Sequence, residues 1–127
     1  MVNKPKDIGT KAETRVVNFL LAAGVRAGRV VMKGSHDEGD IHILHPNGCV
    51  WVTLEVKGGK QTTNVNRKLR EDWLAETKKE GENAGMVHAF LVIAKHGSSV
   101  CDYHVWAVDG HTFWYLDEFV DVMKGGF

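Results

Sequence analysis

The chain is poor in the residues that staple or stiffen a fold: of 127 residues, two are cysteine and two are proline. Cys49 and Cys101 each sit in an apolar, strand-like run, with no Cys-x-x-Cys spacing. Neither a disulfide framework nor a structural zinc site is expected, and both thiols read as buried. Pro5 and Pro46 fall in the N-terminal segment and in a turn. No apolar run approaches the roughly 20 residues of a membrane span. Residues 1–7 lack the apolar centre of a signal peptide, so the cytoplasm is the expected compartment. Repeats, low-complexity segments and linkers are also missing. What remains is 43% hydrophobic and 25% charged, a composition and length that suit one compact domain over 1–127.

Net charge is lacking too: the formal value is zero. That alone argues against a polyanionic partner. The distribution argues otherwise. Residues 1–70 hold 12 Lys+Arg and 6 Asp+Glu, whereas residues 71–127 hold 4 and 10. Neutrality is the sum of a basic and an acidic half, and a polyanion responds to the local potential.

Residues 10–23 read as a helix, because Ala12, Val16, Phe19, Leu20 and Ala23 recur at three- and four-residue spacing. Thr10 is placed to cap it and Gly24 to end it. Residues 28–33 read as a short strand and 34–39 as a polar loop. A hairpin follows: strand 41–44, a turn holding Asn47-Gly48, and strand 49–57. The two-residue period puts Val50, Val52, Leu54 and Val56 on one face of the second strand, and Trp51, Thr53, Glu55 and Lys57 on the other. Residues 58–65 read as a loop and 66–80 as a helix with Leu69, Trp73 and Thr77 on one side. Residues 86–94 are apolar on both faces, as in a covered central strand. Strand 100–108 and a helix over 117–124 complete the order, with Phe119, Val120 and Met123 facing inward. The fold class is α/β, one mixed sheet flanked by helices.

Three residues of the hairpin point to chemistry. Glu55 and Lys57 share a strand face, and the open end of the hairpin brings Asp40 beside them. Two carboxylates then converge next to an ammonium group. Carboxylate oxygens suit Mg²⁺ (or Mn²⁺), with the Val56 carbonyl as a further ligand, and such an ion activates water against a phosphodiester. Lys57 would stabilise charge developing on the phosphate. The alternative is a solvated strand face with a cross-strand ion pair.

Asp40, fourteen intervening residues and Glu55-Val56-Lys57 resemble the signature of the PD-(D/E)XK nucleases. The element order also resembles that superfamily's restriction-endonuclease-like αβββαβ core. Over residues 8–108 the chain is most similar to the archaeal-type Holliday junction resolvases, with Gly9 and Glu13 on the first helix and with Arg29 and Ser35 ahead of Asp40. The resemblance implies a metal-dependent DNA endonuclease, with Asp40 and Glu55 as main ligands, Glu13 helping to bind metal, and Lys57 assisting catalysis. It also implies branched DNA as partner and, since two strands must be cut symmetrically, a twofold homodimer. Other structure-specific or restriction-type nucleases, or a non-catalytic DNA-binding protein, share the fold. The chain departs from the pattern in having Gly39 where the motif has proline. Its second helix lacks glutamine, the nearest being Gln61, and its loop over 34–38 is acidic.

Other residues carry two readings. Thr10 to Glu13 has the spacing of a capping box, so Glu13 is either a cap or a metal-site residue. His36, Asp37, Asp40, His42 and His45 cluster in sequence, but without convincing zinc-ligand spacing. His36 is a candidate second base or phosphate contact. Lys60, Arg67, Lys68 and Arg70, with interleaved threonine and asparagine, read as a phosphate-binding loop running into a helix N-terminus. Lys4, Lys6, Lys11 and Arg15 would add to that basic face. The aromatic segment 111–116 reads either as core or, with Phe119 and Phe127, as a dimer surface.

Overall fold

The computed structural model describes residues 4–30, 37–85 and 88–126, with the backbone alone for 4–10. Helix α1 spans Lys4–Ala22, strand β1 Ala27–Arg29, β2 Ile41–Leu44, β3 Val50–Lys57, α2 Arg67–Asn83, β4 His88–Ile93, β5 His104–Ala107, β6 Phe113–Tyr115 and α3 Leu116–Lys124. The six strands form one sheet in the order β1-β2-β3-β4-β5-β6. Only β3 and β4 run parallel; every other pair is antiparallel. A parallel pair needs a long crossover, and α2 provides it. This is the mixed α/β sheet flanked by helices that the periodicity indicates.

The two faces have separate cores. On one face α1 and α3 pack Ala12, Val16, Leu20, Phe119 and Met123 against Ile41, Ile43, Val52, Leu54, Val56 and Val92. On the other, Trp73 and Leu74 of α2 cover Leu91 and Ile93 of β4. Thr53, Glu55 and Lys57 therefore project towards α2, in the alternation expected. The alternation fails at Trp51, which packs with the α1 core. The register slips at Leu44, which pairs with Val50, so Trp51 is an extra residue and a bulge resets its face.

Several expected boundaries are corrected. Helix α1 begins at Lys4, so Thr10 lies inside the helix and cannot cap it. Pro5 falls in the first turn, where its missing N–H would have no partner anyway. Gly24 does end the helix, at φ 83°, and the Val25 N–H reaches back to the Leu20 carbonyl. Cys49 is exposed in the hairpin turn and Cys101 half-buried in a 3₁₀ turn over Val100–Asp102, so the thiols are not the core residues expected. The Cys49 N–H is held by the Asn47 side chain, which keeps Cys49 in the turn and starts the strand one residue later. The expected strand 100–108 is that 3₁₀ turn followed by β5. The aromatic segment supplies a sixth strand that the sequence pattern did not reveal. Residues 31–33 of the first expected strand, and 86–87 of the central one, lie outside the described residues. No helix among the described residues is long and apolar enough to cross a membrane.

Candidate metal centre

Asp40 enters β2 from a tightly tied loop. Gly39 has φ 100°, and a Cβ there would lie 2.2 Å from the Thr53 hydroxyl. Proline, fixed near φ −65°, has no access to that backbone, which accounts for the glycine in the motif. Asp37 Oδ1 accepts the Gly39 N–H at 2.9 Å, and the Asn83 side chain of α2 donates to the Asp37 carbonyl at 2.8 Å. The Thr53 hydroxyl donates to the Glu38 carbonyl. The loop is thus pinned to both β3 and α2. Asp40 itself donates its N–H to the Leu54 carbonyl, and its Oδ2 accepts the Val56 N–H at 2.8 Å. Strand residues send their backbone groups alternately to the two neighbours. The Lys57 carbonyl goes to Ala94, beyond β4, so the Val56 carbonyl turns to the Asp40 side.

Glu55 is 5% exposed, on a central strand under α2. This overturns the solvated-face alternative. Helix α2 adds Glu76 and Glu80, and the pinned loop adds Asp37. One carboxylate oxygen from each of Asp37, Glu55, Glu76 and Glu80 lies within 4.8 Å of all the others. Burial drives the Glu55 pKa far above the carboxylate range, and the neighbouring Asp40, Glu80 and Glu76 carboxyls push the same way. Burial, aided by the charges of Asp37, Glu76 and Asp40, pushes Glu80 up to about 7. Both Glu80 oxygens are buried, and among the described residues no N–H or hydroxyl group reaches them, which leaves a proton held by Glu55 as their donor. Carboxylates packed this closely need a proton or a cation between them. An all-oxygen set with orphaned acceptors fits a hard divalent ion.

Lys57 lies at the edge of this cluster. Its Nζ is 3.1 Å from Glu76 Oε2, 3.9 Å from Glu55 Oε2 and 5.9 Å from the Trp73 ring centroid. Burial pulls its pKa down, but the carboxylates of Glu55, Glu76 and Asp40 outweigh that and raise it. Lys57 is therefore a charged ammonium group.

No protein-family model and no curated protein sequence matches the chain. Among solved structures it is similar to Archaeoglobus fulgidus Hjc, a Holliday junction resolvase from an archaeal hyperthermophile. The match has a TM-score of 0.54 and covers 80% of this chain and 78% of that one, at 20% identity. The two proteins share a fold. At that level the resemblance read from the hairpin motif and the element order is borne out.

On this fold the expected site residues divide into groups. Asp40, Glu55 and Lys57 come together. Glu13 stands beside them and outside the four-carboxylate cluster: its partner is Arg29, whose Nε is 3.0 Å from Glu13 Oε1. Burial and the Asp40 charge raise the Glu13 pKa against the pull of Arg29. Ser35 and His36 lie outside the described residues. His42 bonds the Glu38 carbonyl and His45 packs on Trp51, so neither joins a metal-binding group. Lys60 is exposed in a 3₁₀ turn over Lys60–Thr62. Arg67 and Lys68 pair with Glu71 and Asp72 on the solvent side of α2, about 13 Å along the helix from the Glu76 level. Arg70 lies over Trp106, 4.3 Å from its ring centroid. Asn66, not a ligand, caps the α2 N-terminus by accepting the Leu69 N–H.

Sequence reasoning missed Glu76 and Glu80. A signal was present: Trp73, Thr77 and Glu80 recur at four- and three-residue spacing, so Glu80 occupies a position of the buried stripe. A carboxylate at such a position needs a counter-ion.

Proposed function

We propose that the protein is a divalent-metal-dependent endonuclease that cuts DNA, and specifically one that resolves four-way junctions as a twofold dimer. The observation that carries the reading is the buried carboxylate cluster of Glu55, Glu80, Asp37 and Glu76, with its orphaned Glu80 oxygens, beside Asp40 and the charged Lys57. The shared fold with a resolvase supports it.

Glu55, Glu80 and Asp37 would hold the ion from the α2 side, and Asp40 with the Val56 carbonyl from the hairpin side. Such an ion, Mg²⁺ or Mn²⁺, supplies polarisation of the scissile phosphate and a more acidic bound water. The chain supplies the rest. Lys57 holds a positive charge where the phosphate would gain negative charge. Glu76 positions Lys57 through its ion pair. Glu13 fixes Arg29, which we assign with Ser35, Lys60, Arg67, Lys68 and Arg70 to phosphate contacts along the backbone of the DNA.

The test is cleavage of a four-way junction, a flap and a linear duplex with Mg²⁺. Paired symmetric nicks in the junction alone are expected. Equal cutting of linear duplex would remove the junction assignment. Asp40→Asn and Glu55→Gln should each abolish cutting and leave DNA binding measurable; surviving activity in both would sink the site.

A further inference from the structure

Helix α2 packs on β3 and β4 and leaves part of its face of the sheet beyond it. There β5 and β6 present four rings. His104 pairs with Tyr115 and Trp106 with Phe113 across the strands, so all four project to the α2 side. The ring centroids of His104 lie 5.0 Å from Phe113 and 5.6 Å from Tyr115, and those of Trp106 and Phe113 lie 5.1 Å apart. Phe113 is 38% and Tyr115 43% exposed, unusual for aromatic side chains. Arg70 covers Trp106, so Phe113 and Tyr115 carry the open surface. Their strand neighbour Trp114 faces the opposite way, into the core.

The strand register ties this patch to the metal centre. Lys57, Ile93, His104 and Tyr115 form one cross-strand row, and Glu55, Leu91, Trp106 and Phe113 the next. At the usual strand spacing β5 lies about 10 Å and β6 about 14 Å from β3, on the same face. Beside His104 and Trp106, over the end of β4, opens a cavity of about 340 Å³, lined also by Asn64, Arg70 and Lys95 and by no acidic residue. Four acids adjoin the patch and each is engaged: Asp109 accepts the His111 and Thr112 N–H groups, Glu71 pairs with Arg67, and Asp117 and Glu118 begin α3 on the other face, Glu118 turned back onto the Tyr115 N–H.

We infer that the exposed rings of β5 and β6, flanked by Arg70 and Lys95, form a stacking platform for unpaired bases of a DNA strand whose backbone continues to Glu55 and Lys57. Every base has a π-face, and aromatic rings beside cations hold single strands without reading sequence. A second copy of the chain suits the patch less well. A twofold contact through it would bring two copies of the Arg70 and Lys95 charges into one interface. The inference rests on the nuclease reading and deepens it: the platform would hold bases that come unpaired at the branch point of the junction.

The experiment reads binding without catalysis. The full-length protein in EDTA is titrated with fluorescein-labelled oligothymidylate, following anisotropy and tryptophan fluorescence. Binding is expected, weakened about tenfold for each ring lost in Phe113→Ala and Tyr115→Ala, and retained in Tyr115→Phe. Photocrosslinking of an iodouracil oligonucleotide to the unsubstituted protein should label residues 104–115, which keeps the test decisive if the alanine variants misfold. Absence of binding, crosslinks elsewhere, or affinity unchanged by the alanines would overturn the platform. So would a dimer that the alanines dissociate while oligonucleotide affinity stays constant. Binding without cleavage of any DNA would leave the platform standing and remove the nuclease.

Discussion

Glu80 on α2 faces Glu55 on β3 across a buried gap in which a proton shared with Glu55 is the donor left to the Glu80 oxygens. Two acceptors in that position repel unless a proton or a cation joins them. Exchange between those two occupants governs much of what the protein should do in solution.

Stability without metal should fall as pH rises from about 4.5 to about 7. Glu80 has its folded pKa raised from 4.5 to about 7. A raised acid pKa means that the folded chain binds the proton more tightly, so its contribution is full below 4.5 and is lost as pH rises through 7. Melting in EDTA at pH 5 and pH 8 checks this, and Glu80→Gln should reduce the difference while leaving the part that Glu55, raised further still, contributes.

Divalent metal should reverse the trend. Mg²⁺ or Mn²⁺ competes with the protons, so the rise in melting temperature on adding metal should be larger at pH 8 than at pH 5. Glu80→Gln should weaken metal binding at least tenfold by calorimetry. Equal affinity in the variant would remove Glu80 from the centre.

Lys57→Ala should lower the rate of single-turnover cleavage about a hundred- to thousandfold while changing DNA affinity little. A parallel loss of affinity would instead make Lys57 an ordinary phosphate contact.

Gly39→Ala should destabilise the fold by about 2–4 kcal/mol, through positive φ and the collision with the Thr53 hydroxyl. Restoring the motif's proline, Gly39→Pro, should do worse. Denaturant unfolding measures both.

The basic residues should not act alike. Lys60→Ala should reduce the salt dependence of DNA binding by about one counter-ion. Arg67→Ala and Lys68→Ala should change it less, because Glu71 and Asp72 already neutralise those side chains. Affinity measured across a salt series separates them.

The hairpin half of the site was legible because strand alternation is local: Thr53, Glu55 and Lys57 share a face whatever else the chain does. Asp40 followed from the turn. The α2 half was legible only at Glu80, which falls on the buried stripe of Trp73 and Thr77. Glu76 sits off that stripe among Glu71, Asp72 and Glu82 in a helix rich in charge, and only the docking angle on β3 and β4 brings it to the cluster. The bulge at Trp51 and the three residues of β6 depend on partners distant in sequence. The start of α1 was obscured by Thr10 and Glu13, whose capping-box spacing occurs inside a helix as readily as at its end.

The parallel pairing of β3 with β4 has a kinetic consequence. Its two strands close only after α2 has been laid across the sheet, a non-local event that slows folding. The same event brings Glu76 and Glu80 against Glu55, so mutual repulsion among the acids opposes the final closure. Dissolved divalent ion should therefore accelerate the last folding step, and a chain caught before it has no assembled centre.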